Sequence, residues 1–359
     1  MSETASDDGA VDKLRREIGR NLLRARNGIK LVAGLSNPRV GLSPRDLILR
    51  DGRTRLYRYR SDQRAYRPAI LLVYSLVTKP YILDLRPGNS FIEKLIQSGF
   101  DVYLLDWGTP DERDSHLGLE YHVDHALPEA VDAVRRTSGD DQVNLVGYCF
   151  GGDLALMYAA RERRAVLRSL TVVACPVDLT ELGVLTTVFN STDDLADVLD
   201  DDGNVPADVI FAAFRAIAPT SEVTGYVNLV QQLWSDDYVE AHQAMMGWAS
   251  GHVAFPGAAA RQMRRILDEN ALVDGTLVIG GTPVDFSQIT VPFLAVLGAS
   301  DHIVPASAAA PVMDLVGSTD KELHTLPGGH AGLFVGRTAA QQTLPTLIEF
   351  FRTRSEATP

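Results

Sequence analysis

The chain is short of cysteine and of basic residues, and both shortages narrow the classes of protein to which it can belong. Its 359 residues include only two cysteines, Cys149 and Cys175. Two cysteines do not form the disulfide framework of a small secreted domain, so we predict a cytoplasmic protein. The 34 Lys and Arg are outnumbered by 46 Asp and Glu, which gives a net charge of -12. Because nucleic-acid binding needs a cationic excess, we predict no nucleic-acid partner.

Other features are missing altogether. No stretch reaches the roughly 20 uninterrupted apolar residues of a membrane span. The first ten residues, MSETASDDGA, are polar and acidic, which is not the composition of a secretory signal. Spacings typical of metal sites, such as H-E-x-x-H or paired C-x-x-C, do not occur. We therefore predict no bound metal and no cofactor.

The N-terminal arm, residues 1–40, carries a basic segment in an otherwise acidic chain. Residues 11–33 have helical spacing, with apolar positions at Leu14, Ile18, Leu22 and Ile29. Two interpretations stay open for this amphipathic helix. It is a surface helix docked by its apolar side, or it adsorbs to an anionic or lipid surface or to a partner helix. The basic residues are Lys13, Arg15, Arg16, Arg20, Arg24, Arg26 and Lys30.

Apolar runs of buried-strand length alternate with helical patterns through most of the chain. This alternation predicts an α/β fold with a mostly parallel sheet. Residues 178–288 differ, because they contain mainly helical patterns, so we predict a helical cap inserted into a core of residues 41–177 and 289–355. The runs interpreted as strands are 68–77, 100–108, 142–148, 167–176, 291–301 and 322–330.

One strand-to-helix transition carries a nucleophile pattern, GYCFGG. Cys149 lies between Gly147 and the pair Gly151 and Gly152, small residues that a sharp strand-to-helix turn requires. This is the nucleophile elbow of the α/β-hydrolase fold, with cysteine in place of the usual serine. The backbone N–H of Phe150 is the expected oxyanion donor. An inert buried thiol is the alternative, and the strand before and helix after favour the nucleophile.

The elbow predicts an acid and then a base later in the chain. Asp301, in LGASDHIVP, follows a late buried strand, and His330, in LPGGHAGLF, lies in a glycine-rich loop near the C-terminus. The second oxyanion donor is expected in the loop after the first buried strand. We assign it to Val77, with Leu76 as the fallback.

Three further residues have competing interpretations. Asp106 and Trp107 end a predicted strand, where they form either a pocket wall or a loop cap. Cys175 ends another strand and is predicted to lie in the core. Surface or supporting roles are predicted for the histidines other than His330, which are His116, His122, His125, His242, His252, His302 and His324.

Five segments carry a combined pattern: 72–114 (LVYSLV through DWGTPDERD), GYCFGG at 147–152, FPGAAARQMRRILDENALV at 255–273, GASDHIVP at 298–305 and PGGHAGL at 327–333. Together they resemble the poly(3-hydroxyalkanoate) synthases, particularly the short class III and class IV type. The resemblance covers roughly residues 36–345. It is looser at 116–134 and in MMGWASGHVA, just before Phe255.

The resemblance implies an acyltransferase that polymerises (R)-3-hydroxyacyl-CoA and releases CoA. Cys149 would carry the acyl group as a thioester, and His330 would be the base that generates the thiolate. Asp301 would help to activate the 3-hydroxyl, directly or through His330. The implied partners are the acyl-CoA substrate, a growing polyester or granule surface, and a small synthase subunit. The sequence leaves a homodimer open.

Two other functions remain open at this stage. A cysteine hydrolase, such as a dienelactone hydrolase, a polyester depolymerase or an acyl-CoA thioesterase, uses the same elbow. Dienelactone hydrolases are much shorter and lack an inserted cap of this size. A non-catalytic granule-associated scaffold would have no need for Cys149, Asp301 and His330 in the expected order.

Overall fold

The apolar runs form one eight-stranded sheet in the computed structural model. The structure describes residues 4–33, 38–183, 186, 198–217 and 228–357. The sheet order is β1-β2-β4-β3-β5-β6-β7-β8, and β3 to β8 are mutually parallel. Strand β2 runs antiparallel to both of its neighbours. The strands are β1 Asp46–Asp51, β2 Thr54–Tyr59, β3 Ile70–Val73, β4 Val102–Asp106, β5 Val143–Tyr148, β6 Leu167–Val173, β7 Phe293–Gly298 and β8 Lys321–Leu326.

The central strands are covered on both faces. Every residue of β3, β5 and β7 is buried, so side chains pointing to either side of the sheet are excluded from water. Continuous apolar runs such as Ile70–Val73 have this burial pattern because helices pack on both sides of a parallel sheet. The predicted α/β fold with a mostly parallel sheet is confirmed.

Eight helices of seven or more residues occur in the described part of the chain: α1 Thr4–Val32, α2 Phe91–Gln97, α3 Leu127–Ser138, α4 Phe150–Arg161, α5 Ala207–Ile217, α6 Asp236–Ala249, α7 Gly257–Asp268 and α8 Leu344–Arg354. Local sequence sets several of their ends. Ser90 caps α2 by accepting the Glu93 N–H at 3.0 Å. Gly139, with φ of 74°, ends α3 in the left-handed conformation that glycine favours.

Shorter segments complete the described structure. Single helical turns occur at Pro80–Asp84, Glu112–Asp114, Leu179–Leu182, Phe286–Gln288, Ala306–Ala309, Val312–Leu315, Ala331–Leu333 and Gly336–Thr338, and π-helical turns at Tyr121–Ala126 and Ala339–Thr343. Two-residue strands pair Tyr66–Arg67 with Glu356–Ala357, Asn204–Val205 with Phe255–Pro256, and Val278–Ile279 with Thr282–Pro283.

The segment between β6 and β7 is mainly helical in its described part and contains α5, α6 and α7. The predicted cap, 178–288, includes residues 184–185, 187–197 and 218–227, which lie outside the described residues. The antiparallel pair of Asn204–Val205 with Phe255–Pro256 connects the beginning of α5 to the beginning of α7. The cap boundaries at 177/178 and 288/289 stay predictions.

The N-terminal helix α1 contacts the rest of the protein through polar groups. The Asn27 side chain is buried and donates to the Leu233 carbonyl at 2.7 Å and to the Asp236 carboxylate at 2.9 Å. Its apolar residues Ile18 and Leu22 are 52% and 67% exposed. Docking by the apolar side is therefore not what the structure shows. Among the described residues, no helix is both long enough and apolar enough to cross a membrane.

Candidate active site

Cys149 occupies the turn between β5 and α4 in a conformation that side chains rarely adopt. Its φ of 53° and ψ of -133° place it in the left-handed half of conformational space. The flanking glycines allow this turn because the backbone passes close to itself. A Cβ on Gly147 would lie 2.5 Å from the Gly152 Cα, and one on Gly151 would lie 2.6 Å from the Val73 carbonyl oxygen.

The position at the beginning of α4 has an electrostatic consequence. The first N–H groups of a helix have no intrahelical acceptor, and the helix dipole is positive at this end. Phe150 is the first residue of α4, so its N–H is one of these groups. Cys149 is half-buried beside it. This environment favours a thiolate and the development of negative charge on a nearby oxygen.

The sheet brings the two other predicted residues to the same edge. Asp301 follows β7 and His330 follows β8, and these parallel neighbours end at the same edge as β5. The two loops are packed against each other, because the Ser300 N–H donates to the Gly328 carbonyl at 3.0 Å. His330 Nδ1 lies 2.8 Å from Asp301 Oδ2.

Both oxygens of the Asp301 carboxylate accept hydrogen bonds. Its side chain is 0% exposed, and Oδ1 accepts the N–H groups of Ile303 and Val304, each at 2.9 Å. Oδ2 accepts from His330. Three donors therefore fix this carboxylate, which in turn fixes the orientation of the imidazole.

The neighbours of His330 favour its protonated form. Burial alone would lower the pKa of His330, but the charges and hydrogen bonds of Cys149 and Asp301 outweigh it and raise this pKa to about 10. The Tyr148 ring lies beside the imidazole with a centroid distance of 4.9 Å. The structure thus brings Cys149, His330 and Asp301 together, and their catalytic roles remain predictions.

The loop of residues 74–79, which we call the 74–79 loop, carries the predicted second oxyanion donor. The N–H of Val77 lies 3.5 Å from Ser75 Oγ, which is a long contact, and the Val77 carbonyl accepts the Val253 N–H at 3.1 Å. Leu76, the fallback, is buried. The beginning of the loop is next to the elbow, because Gly151 of the elbow lies against the backbone of Val73, the residue that precedes the loop.

Sequence reasoning missed the groups that hold this loop. The Trp107 indole donates to the Tyr74 carbonyl at 2.8 Å, and the Trp248 indole donates to the Lys79 carbonyl at 2.9 Å. Trp248 and Val253 belong to the cap segment, in which the family pattern is loose. The available signal was the scarcity of tryptophan, because the chain has only three.

Asp106 and Trp107 divide between the two interpretations given above. The Asp106 side chain accepts the Gly108 N–H at 2.9 Å, which is a loop cap. Trp107 lines a cavity of about 200 Å³ together with Leu76 and Pro256.

Cys175 is buried, as predicted, and its Sγ lies 3.3 Å from Asp153 Oδ1. Burial raises the pKa of both Cys175 and Asp153.

Metal-ligating side chains converge at one place among the described residues. Ligand atoms of Asp51, His125 and Glu129 lie within 4.8 Å of one another. Asp51 Oδ2 accepts from the Tyr121 hydroxyl at 2.9 Å and lies 3.1 Å from His125 Nε2. His125 and Glu129 are exposed. The prediction of no metal is not tested by this geometry.

Comparison with known folds agrees with the sheet topology. Residues 68–337 match the family described as the alpha/beta hydrolase fold. A monoacylglycerol lipase from Paleococcus ferrophilus superposes with a TM-score of 0.53 at 14% identity, over 83% of this chain and 98% of that one. An alpha/beta hydrolase fold protein from Nakamurella multipartita gives a TM-score of 0.51 at 15% identity, over 86% of this chain and 99% of that one. At this identity the likeness concerns the fold alone.

Comparison with characterised sequences is more specific. The poly(3-hydroxyalkanoate) polymerase subunit PhaC of Allochromatium vinosum is 32% identical over 349 residues, which are 96% of this chain and 98% of that protein. The corresponding subunit of Haloferax mediterranei is 34% identical over 327 residues, or 90% of this chain. The chain spans about two thirds of the haloarchaeal relatives, 66% of the Haloferax mediterranei protein and 69% of that from Haloarcula marismortui.

Proposed function

The chain belongs to the poly(3-hydroxyalkanoate) polymerase PhaC family of the α/β-hydrolase superfamily, and from this premise we propose that it polymerises (R)-3-hydroxyacyl groups supplied as CoA thioesters. The observation that carries the proposal is the buried His330, held by Asp301 at 2.8 Å and hydrogen-bonded to Cys149 on a nucleophile elbow. A thiolate with its proton stored on a neighbouring imidazole is ready to attack a thioester carbonyl.

In the first half-reaction the Cys149 thiolate attacks the acyl-CoA carbonyl. The negative charge that develops on the carbonyl oxygen is stabilised by the N–H of Phe150 and by that of Val77. The bond to the CoA sulfur then breaks, and His330 donates its proton to the departing CoA thiolate. The products are a Cys149 thioester, free CoA and a neutral His330.

In the second half-reaction a 3-hydroxyl group attacks the Cys149 thioester. Neutral His330 takes the hydroxyl proton, the new ester bond forms, and the Cys149 thiolate is released beside the restored imidazolium. Asp301 stabilises that imidazolium through its 2.8 Å hydrogen bond. Because the Asp301 side chain is 0% exposed and has three donors, the geometry favours its action through His330 over direct contact with the hydroxyl.

The choice between transfer and hydrolysis depends on which hydroxyl reaches the thioester. The cap lies directly on the elbow, since the Phe255 ring lies 6.1 Å from that of Phe150, centroid to centroid. An apolar cover of this kind limits the access of water to the intermediate. A thioester also transfers its acyl group to an alcohol at little thermodynamic cost, which suits a cysteine to polymerisation.

Incubation of the purified protein with (R)-3-hydroxybutyryl-CoA tests the proposal. Free CoA thiol and insoluble polyester are measured in the same reaction. The expected result is CoA release in step with polymer formation. Release of CoA with only free 3-hydroxybutyrate would identify a thioesterase and overturn the polymerase proposal.

The N-terminal helix α1 is proposed to bind the polyester granule. Exposed Ile18, Leu22 and Ile29 supply an apolar surface, and exposed basic residues surround it. Deletion of residues 1–33 should reduce co-sedimentation with polyester granules and leave CoA release from free substrate within about twofold. Unchanged co-sedimentation would reject this role. A small synthase subunit and a homodimer remain predictions.

A further inference from the structure

The 74–79 loop is anchored from two sides by tryptophan indoles, one in the core and one in the cap. We propose that Trp248 is a positioning residue that makes oxyanion stabilisation depend on the closed cap, with Trp107 as the fixed anchor at the other end of the loop. The inference rests on the acyl transfer proposed above, because it concerns how that step is stabilised.

The core anchor fixes the beginning of the loop. Trp107 directly follows β4 and is 7% exposed, and its indole N–H donates to the Tyr74 carbonyl at 2.8 Å. Tyr74 directly follows β3 and is 1% exposed. Both residues directly adjoin strands of the central sheet and neither lies in the cap, so this hydrogen bond does not depend on the cap.

The cap anchor fixes the end of the loop. Trp248 is the last but one residue of α6 and is 8% exposed, and its indole N–H donates to the Lys79 carbonyl at 2.9 Å. Five residues later, the Val253 N–H donates to the Val77 carbonyl at 3.1 Å. Two of the hydrogen bonds that orient the end of the loop therefore come from the cap.

The loop needs external anchors because it forms no regular secondary structure between Val73 and Pro80. An N–H group stabilises an oxyanion only when it points at the developing charge, and an error of a fraction of an ångström weakens it. Displacement of the cap would remove the bonds from Trp248 and Val253 and free the peptide groups around Val77. Acylation of Cys149 would then be efficient only while the cap is closed.

The variant Trp248→Phe tests this coupling, since it keeps a buried aromatic ring and removes the N–H donor. Trp234→Phe is the matched control. Trp234 also lies in the cap segment, where the guanidinium of Arg20 is 4.5 Å from its ring centroid, and among the described residues it makes no hydrogen bond to the 74–79 loop.

Two reactions of Cys149 separate positioning from general damage. CoA release passes through an oxyanion, whereas alkylation by iodoacetamide does not. We expect Trp248→Phe to lower kcat for CoA release about tenfold, with KM and the alkylation rate within about twofold of wild type, because loss of an oxyanion donor outright costs roughly 100-fold or more. Trp234→Phe should leave all three values unchanged.

Hydrogen exchange of the 74–79 amides gives a readout that does not need turnover. Trp248→Phe should speed this exchange at least about tenfold relative to Trp234→Phe. Unchanged exchange and unchanged kcat in Trp248→Phe would overturn the inference, as would an equal loss of CoA release and alkylation. Absence of CoA release in the wild type would instead overturn the proposed function and leave the exchange result to decide the loop anchor.

Discussion

The core side and the cap side of the candidate site are built from different kinds of contact. On the core side, Asp301 and His330 are buried, charged and fixed by short hydrogen bonds. On the cap side, Trp248 and Val253 make neutral hydrogen bonds to a loop. The core side fixes the positions of charged groups, and the cap side fixes the backbone conformation of the 74–79 loop.

The two kinds of contact differ in strength. Removing one partner of a buried ion pair costs about 3–5 kcal/mol, because a charge is left without compensation. A neutral hydrogen bond contributes only about 1 kcal/mol net. Under the proposed coupling, opening of the cap breaks only these weaker contacts and leaves the charged contacts in place.

The largest effect should come from removing the nucleophile. Cys149→Ala should abolish CoA release, a loss of at least about 10⁴-fold, because the other cysteine, Cys175, is buried against Asp153. Cys149→Ser keeps the elbow but lacks the thiolate, and we expect it to be at least about 10³-fold slower than wild type. Residual release in Cys149→Ala above one part in a thousand would contradict the covalent mechanism.

The next effect should come from the charge on His330. In His330→Gln the Cys149 thiol loses the imidazole that takes up its proton, and the thiolate is the form that iodoacetamide alkylates. Iodoacetamide alkylation at pH 6 should be more than about tenfold slower than in wild type. His324→Gln is the matched control, since His324 is a half-buried histidine paired with Glu322 at 3.2 Å. Equal rates in the two variants would reject the ion pair.

Asp301→Asn should change both the rate and its pH dependence. Without the carboxylate charge, CoA release should fall by roughly 10²- to 10⁴-fold. The charge of Asp301 is one of the causes that raise the pKa of His330, so its removal lowers that pKa. Loss of the imidazolium as pH rises should then occur at lower pH than in wild type. A pH profile of CoA release measures the shift, because the departing CoA thiolate takes its proton from the imidazolium, and an unshifted alkaline limb would contradict it.

A smaller effect sharpens the contrast between two buried histidines. His330 is buried and charged, whereas burial lowers the pKa of His122 to about 4 and keeps it neutral. In the unfolded chain a histidine has a pKa of about 6.5. The free energy of unfolding should therefore fall as the pH drops from 6.5 towards 4, by up to about 3 kcal/mol. Urea denaturation of His122→Gln should show a shallower loss over this range. A loss in His122→Gln as steep as in wild type would contradict the buried, neutral state of His122.

The fold and the elbow could be predicted because their signals are local. A few neighbouring residues are enough to predict the conformation of a run such as Ile70–Val73 or of the glycine-flanked turn at Cys149. Asp301 and His330 could be assigned because parallel strands end at the same edge of a sheet. These assignments needed only chain order and strand pattern.

The missed contacts are long-range and leave no local pattern. Trp248 and Lys79 are 169 residues apart, and nothing in either segment indicates the other. Asp51 and His125 are 74 residues apart and meet only because β1 lies near the π-helical turn. The exposed apolar side chains of α1 were also unpredictable, because helical periodicity shows that a face exists but not what covers it.

The backbone angle of Cys149 makes residue 149 a place where stability and activity oppose each other. A side chain at φ 53° and ψ -133° is strained by about 1–3 kcal/mol, a strain that glycine does not have. Of two inactive variants, Cys149→Gly should therefore melt at a higher temperature than Cys149→Ala. Selection for a more stable chain would therefore act against the residue that we propose as the nucleophile.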